Sequence, residues 1–257
     1  MNEIQTIIEN PWRRRLIIIM DEVKIESLEF DKVGRNLLNN NEISVIPISN
    51  WQNYSESLKI LGNVRPNPGM LLVLSPYNDF IYSEISESRN LFAIEKMSST
   101  IALCQLLGVK SVVSTNIKIL DRDSTKEISF DLQSNSYGSG DLKAKKQDLL
   151  YIKNRLQLKA NFAGSSPHLD EATVLLKASK LDTDIVLSKL VEMKRNESKG
   201  LNKIRNLTQE ISLTESLQNT FDFAANLNFP IGCISSNYKS VVKEKIEISI
   251  TLEINFI

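Results

Sequence analysis

The sequence predicts an α/β unit over residues 12–120, with a parallel or mostly parallel sheet. A largely antiparallel, β-rich α+β unit with covering helices follows over residues 126–257. Three observations predict this. In the first stretch, short consecutive apolar runs alternate with helical patterns, as in buried strands joined by helical crossovers. In the second, strands alternate apolar and polar residues at every step, most cleanly in "KIEISITLEINF" (Lys245 to Phe256). Period two gives a strand one buried and one solvated face, the habit of an antiparallel sheet. Between them lies the polar "LDRDSTKE" (Leu120 to Glu127), the best boundary candidate.

Taken in order, "RLIIIM" (Arg15 to Met20) reads as a strand buried on both faces, because its β-branched residues are consecutive. A helix is expected around Glu26 to Leu38, with Leu28, Val33, Leu37 and Leu38 inward, stopped by Asn39 to Asn41. "EISVIPIS" follows as a strand, then a helix from Trp51 to Leu61 and a third strand at "MLLVLS" (Met70 to Ser75). Ile94, Met97, Ile101 and Cys104 recur at spacings of three and four, predicting a helix over Ser88 to Leu107 that Gly108 ends. Val109 to Thr115 is expected as the fourth strand of the same sheet.

In the second stretch, alternation predicts strands around Ile128 to Leu132, Leu156 to Phe162, Leu207 to Leu213, Phe221 to Phe229 and the closing run. A weak helix is expected over Leu142 to Lys153. Ser166 and Pro167, with Asp170 and Glu171 behind them, predict a helix start that runs to Lys177. A second such helix is capped by Asp182 or Thr183 and closes on Lys194 and Arg195.

Composition sets the function classes. The chain has 257 residues, 42% hydrophobic and 24% charged, which is globular composition and neither disordered nor fibrous. Lys plus Arg and Asp plus Glu both number 31, so no net field draws the chain to nucleic acid or anionic lipid, and nucleic-acid binding is not expected. Two cysteines, Cys104 and Cys233, without CxxC spacing point to a reducing, cytoplasmic setting. "LIIIM" after three arginines is too short for a secretion signal, and no apolar run reaches the ~18 residues of a transmembrane helix.

Chemistry would be sought at the carboxyl ends of the strands in the first sheet. Asp21 and Glu22 follow the first strand, Ser49 and Asn50 the second, Asp79 the third, and Thr115 and Asn116 the fourth. Asp21, Glu22 and Asp79 together could hold magnesium for phosphoryl transfer or hydrolysis, because hard cations take several carboxylate oxygens. Against this, acids after a strand commonly cap helices. His168 is the single histidine and could act as a general base beside Ser165, Ser166 and Asp170, although that run also reads as an ordinary helix start. "YGSG" (Tyr137 to Gly140) lacks phosphate-loop spacing, and no GxSxG, HExxH or EF-hand pattern occurs. No cofactor is expected. A basic patch gathers Lys143, Lys145, Lys146, Lys153, Arg155 and Lys159, with Asp148 the one acid among them, and would suit an anionic surface.

The reading that follows is a non-enzymatic cytoplasmic interaction or assembly protein acting through its β-rich half, with a protein partner or self-association. Asn- and Ile-heavy usage suggests an AT-rich, microbial genome, and two-part α/β plus β-rich proteins occur among bacterial defence effectors, so a microbial defence or regulatory component is one expectation. A terminal strand of this regularity is expected near a sheet edge, where unpaired backbone recruits another strand. The alternative is a pore-forming, membrane-active effector, since Thr220 to Phe229 and Lys245 to Phe256 have the length and alternation of barrel strands. The third reading is the metal-dependent enzyme above.

Overall fold

A computed structural model describes residues 15–62, 64–121, 126–127, 150–200, 203–230, 232–234, 238–244 and 246–256. They form an α+β fold with a mixed sheet and an antiparallel sheet, each carrying helices. Two compact units result. The first is drawn from residues up to Phe92 together with Ser216–Glu244, the second from Ala93–Glu215 and the strand after Glu244.

The first unit is built on β1 (Leu16–Met20), whose five residues are all fully buried, as a run without alternation requires. Helices α1 (Glu22–Phe30) and α2 (Lys32–Leu38) follow in place of one long helix. Asp31 separates them by leaving helical geometry and capping the Gly34 N–H at 2.9 Å. Leu28 and Leu37 are buried as expected, whereas Val33 is exposed. Then come β2 (Ile43–Pro47), a short α3 (Trp51–Ser55), β3 (Lys59–Ile60), β4 (Leu71–Leu74) and β5 (Ile81–Glu84). The sheet order is β2-β1-β4-β5-β3. β1 is parallel to β2 but antiparallel to β4, and β4 is antiparallel to β5, so the sheet is mixed.

Helix α4 (Ile85–Leu106) carries the chain from the first unit into the second. It ends as the sequence predicts. Gly108 takes φ 75°, its N–H donates to the Gln105 carbonyl, and the Val109 N–H reaches the Cys104 carbonyl, a Schellman closure. The strand after it, β6 (Ser111–Asp121), does not join the first sheet. It pairs antiparallel with β10 (Ile246–Asn255) over its whole length. Thr115 is the extra residue of a bulge opposite Thr251 and Leu252, and its hydroxyl donates to the Thr251 carbonyl.

The second sheet has the order β7-β6-β10-β9, with β7 at Lys126–Glu127 and β9 at Asn206–Ser212, and β8 (Lys159–Asn161) pairs β6 at its other end. Residues 150–156 form helix α5, where a strand from Leu156 was expected, and β8 starts only at Lys159. The expected strand at Ile128 to Leu132 and "YGSG" lie outside the described residues. Helix α6 (Leu169–Ala178) has His168 as its N-cap residue, two residues after the expected cap Ser166. The chain is tied down there by the His168 N–H donating to the Leu106 carbonyl, which delays the helix. Helix α7 (Ile185–Ser198) is capped by Asp184, not Asp182 or Thr183; its carboxylate accepts from the Val186 and Leu187 N–H groups.

The segment Thr220 to Phe229 is not a strand. Gln218–Ala225 form helix α8 in the first unit, followed by α9 (Tyr238–Lys243). The same residues satisfy both periods: Phe221, Phe223 and Ala225 alternate, while buried Leu217, Phe221 and Ala224 recur at four and three. Tertiary contacts decide between them. The Arg15 guanidinium lies 4.7 Å from the Phe223 ring and also donates to the Asn219 carbonyl. Arg89 lies 4.7 Å from the Phe221 ring and donates to the Glu244 carbonyl at 2.6 Å.

Candidate functional site

The opening acids do not assemble. Because β1 and β4 are antiparallel, Asp21 follows the Met20 end of β1, beside Met70, while the turn carrying Asp79 follows Leu74, whose N–H donates to the Arg15 carbonyl at the other end. Five strand residues, about 14 Å, separate the two ends. Glu22 instead meets Ser49, since β1 and β2 are parallel and release both at one end. The Ser49 hydroxyl donates to the Glu22 carboxylate and holds its pKa below the usual carboxylate value. Among the described residues no group of three His, Cys, Asp or Glu side chains could hold a metal ion.

His168 is exposed and pairs with Glu171 across the first turn of α6, at 2.9 Å. Its side chain makes no cap hydrogen bond to the helix. Of the basic patch, Lys143, Lys145 and Lys146 lie outside the described residues. Arg155 lies over the Tyr151 ring at 4.8 Å on α5, and Lys159 is exposed on β8.

β10 is an interior strand, flanked by β6 and β9, so it is not the docking edge its terminal place in the sequence suggested. Ile246, Ile248, Ile250, Leu252, Ile254 and Phe256 are all buried, each worth roughly 2 kcal/mol. Among the described residues the open edge of this sheet is β9. Among the described residues β10 is its one neighbouring strand, whereas β6 is met by β8 at one end and β7 at the other. The Leu213 N–H donates to the Ile248 carbonyl and the Phe256 N–H to the Arg205 carbonyl, which fixes the alternation of the ladder. Odd-numbered residues of β9 bond to β10, so Asn206, Thr208, Glu210 and Ser212 direct their backbone groups outward.

Beside this edge runs a groove of about 210 Å³ between α7 and β9. Ile185, Lys189 and Met193 line it from the helix, and Leu207, Gln209 and Ile211 from the strand. Pockets for whole small molecules run ~300–1,000 Å³, so this groove suits a few side chains instead. The exposure of Ile185 (69%) and Met193 (37%) leaves apolar surface open at both ends.

Two buried ion pairs hold the groove walls. Lys96 of α4 is 2% exposed; its ammonium lies 2.6 Å from the Asp184 carboxylate and donates to the Ser212 carbonyl at 2.6 Å. One cation thus ties the N-terminus of α7 to the last residue of β9, and occupies the outward carbonyl at that end of the edge. At the other end Lys194 pairs with Glu197, whose carboxylate accepts the Ile204 N–H just before β9. The Lys194 ammonium also lies 4.2 Å from the Phe256 ring. α7 therefore runs antiparallel to β9. Fourteen helical residues span about 21 Å and seven strand residues about 23 Å, so the walls match in length.

Sequence reasoning missed this site, though its signal was present: Lys96 falls on the helical stripe of Ala93, Thr100 and Leu103, a position where an unpaired cation is costly. On the opposite face of the sheet, the Ser249 hydroxyl and the Lys118 ammonium both reach Glu210 and hold its carboxyl below the usual range. Comparison of the chain with protein-family profiles, with curated proteins and with solved structures found no match.

Proposed function

We propose that the chain is a non-enzymatic interaction protein whose second unit takes up an extended segment of a partner protein along β9. The observation that carries this reading is the combination of an open sheet edge and an adjacent apolar groove whose two walls are pinned at both ends. Backbone bonds to the edge supply affinity in strand addition, and side-chain pockets beside it supply choice. A rigid groove lowers the ordering cost of binding. A cytoplasmic setting is supported by two buried, unpaired cysteines and fits the fact that no described helix is long and apolar enough to cross a membrane.

Thr208→Pro tests the reading. The Thr208 N–H points away from β10, so proline removes an outward donor without breaking the ladder. Tagged wild-type and variant chains, each with its melting temperature checked, are used to capture partners from the native host. Partners held by the wild type and lost from a folded variant support strand addition. An identical set on both chains rules out β9 as the docking edge.

A further inference from the structure

The groove is apolar at its ends and cationic at its middle. Ile185, Lys189 and Met193 recur every four residues on α7, about 6 Å apart. Alternate residues of an extended chain recur at about 6.6 Å. Over three positions the two repeats drift by little more than 1 Å, so a strand laid on β9 would present successive groove-side residues to Ile185, Lys189 and Met193 in turn. Lys189 is exposed, and among the described residues no hydrogen bond or ion pair engages it. Gln209 also lines the groove and brings no charge; its side-chain amide donates to the Glu210 carbonyl. A second copy of β9 and α7 would bring no carboxylate to Lys189, because none of the residues lining the groove is acidic, so self-pairing leaves that charge unanswered.

From this we infer that the segment bound is a partner protein's strand of the pattern apolar–x–acidic–x–apolar, with Asp or Glu opposite Lys189 and apolar side chains at Ile185 and Met193. The inference rests on the strand-addition reading and adds to it the chemistry of the partner. The outward carbonyl of Ser212 is taken by Lys96, so added pairing is confined to Asn206 through Glu210, where the exposed Gln209 side-chain amide, which donates to the Glu210 carbonyl at 3.3 Å, gives way to the added strand.

The test uses the full chain and two fluorescein-labelled nine-residue peptides. Both carry leucine at the third and seventh positions and threonine or serine elsewhere; the fifth position is glutamate in one and lysine in the other. Anisotropy titrations are run at low salt, where exposed charge pairs are least screened. The wild type binds the glutamate peptide about fivefold to tenfold tighter than the lysine peptide, and Lys189→Glu inverts the order. Thr208→Pro abolishes binding of both. Equal affinity for the two peptides, with binding still lost in Thr208→Pro, overturns the acidic motif while leaving strand addition in place. Binding that survives Thr208→Pro overturns both. No binding of either peptide at millimolar concentration overturns the motif, and the capture experiment with the native partner then judges the edge by itself.

Discussion

Replacing Lys96 by methionine should loosen the second unit from the groove outward. The side chain is 2% exposed, and its removal leaves the Asp184 carboxylate and the Ser212 carbonyl without their shared partner. Breaking a buried pair costs ~3–5 kcal/mol. The lower end applies here, because Asp184 keeps the Val186 and Leu187 N–H groups and its side chain is 16% exposed. At about 3 kcal/mol, the equilibrium for opening rises roughly 150-fold. Amide hydrogen exchange in β10 reads that change within the second unit, independently of the first. Adding Asp184→Asn should recover part of the loss, since asparagine still caps α7 and leaves no orphan charge. A loss below about 1 kcal/mol in Lys96→Met, or strict additivity of the two substitutions, would refute the claim that this pair holds the groove walls.

Three further outcomes follow from the same structure. Gly108→Ala should destabilise by about 3 kcal/mol in urea unfolding, because the position has φ 75° and an added Cβ would lie 2.2 Å from the Ser165 carbonyl oxygen. Ile250→Asp places a charge in an interior strand at 0% exposure and should cost more than about 4 kcal/mol, read as loss of cooperative unfolding by circular dichroism. Glu210 is held below its usual pKa first by Ser249 and then by Lys118. Its stabilising share is therefore complete above the unfolded carboxylate pKa and is lost as pH falls through the lower folded value. Its side chain is 48% exposed, so Glu210→Gln should change stability at pH 7 by only a few tenths of a kcal/mol, and acid titration should show the variant's pH dependence flattened below about pH 4.5.

What the sequence made legible was whatever a local pattern determines. Leu16 to Met20 could only be a strand covered on both faces, and the inward set from Ile246 to Phe256 follows from period two with a tightly held register. Gly108 announced the end of α4. Pairing between distant segments left no such mark. Nothing in Ser111–Asp121 says that it belongs beside β10 instead of β1, or that the last strand is interior. The run from Thr220 fits two periods at once, and the arginines that settle it, Arg15 and Arg89, come from far earlier in the chain. With that run helical, the pore reading keeps only one of its two strands, and that strand faces the core. The acids at Asp21 and Asp79 failed as a group for a topological reason, the antiparallel turn of β4. Lys96 was visible as a cation on an apolar stripe, yet its partners Asp184 and Ser212 were not.

The central claim, that β9 is the edge on which a partner strand is laid, is tested most directly by residue-resolved hydrogen exchange of the wild-type chain with and without its captured partner. The outward amides of Asn206, Thr208 and Glu210 should become strongly protected on association, while those of Leu207, Gln209 and Ile211, already bonded to β10, change little. Association that leaves the outward amides exchanging as before, with new protection elsewhere, would contradict it.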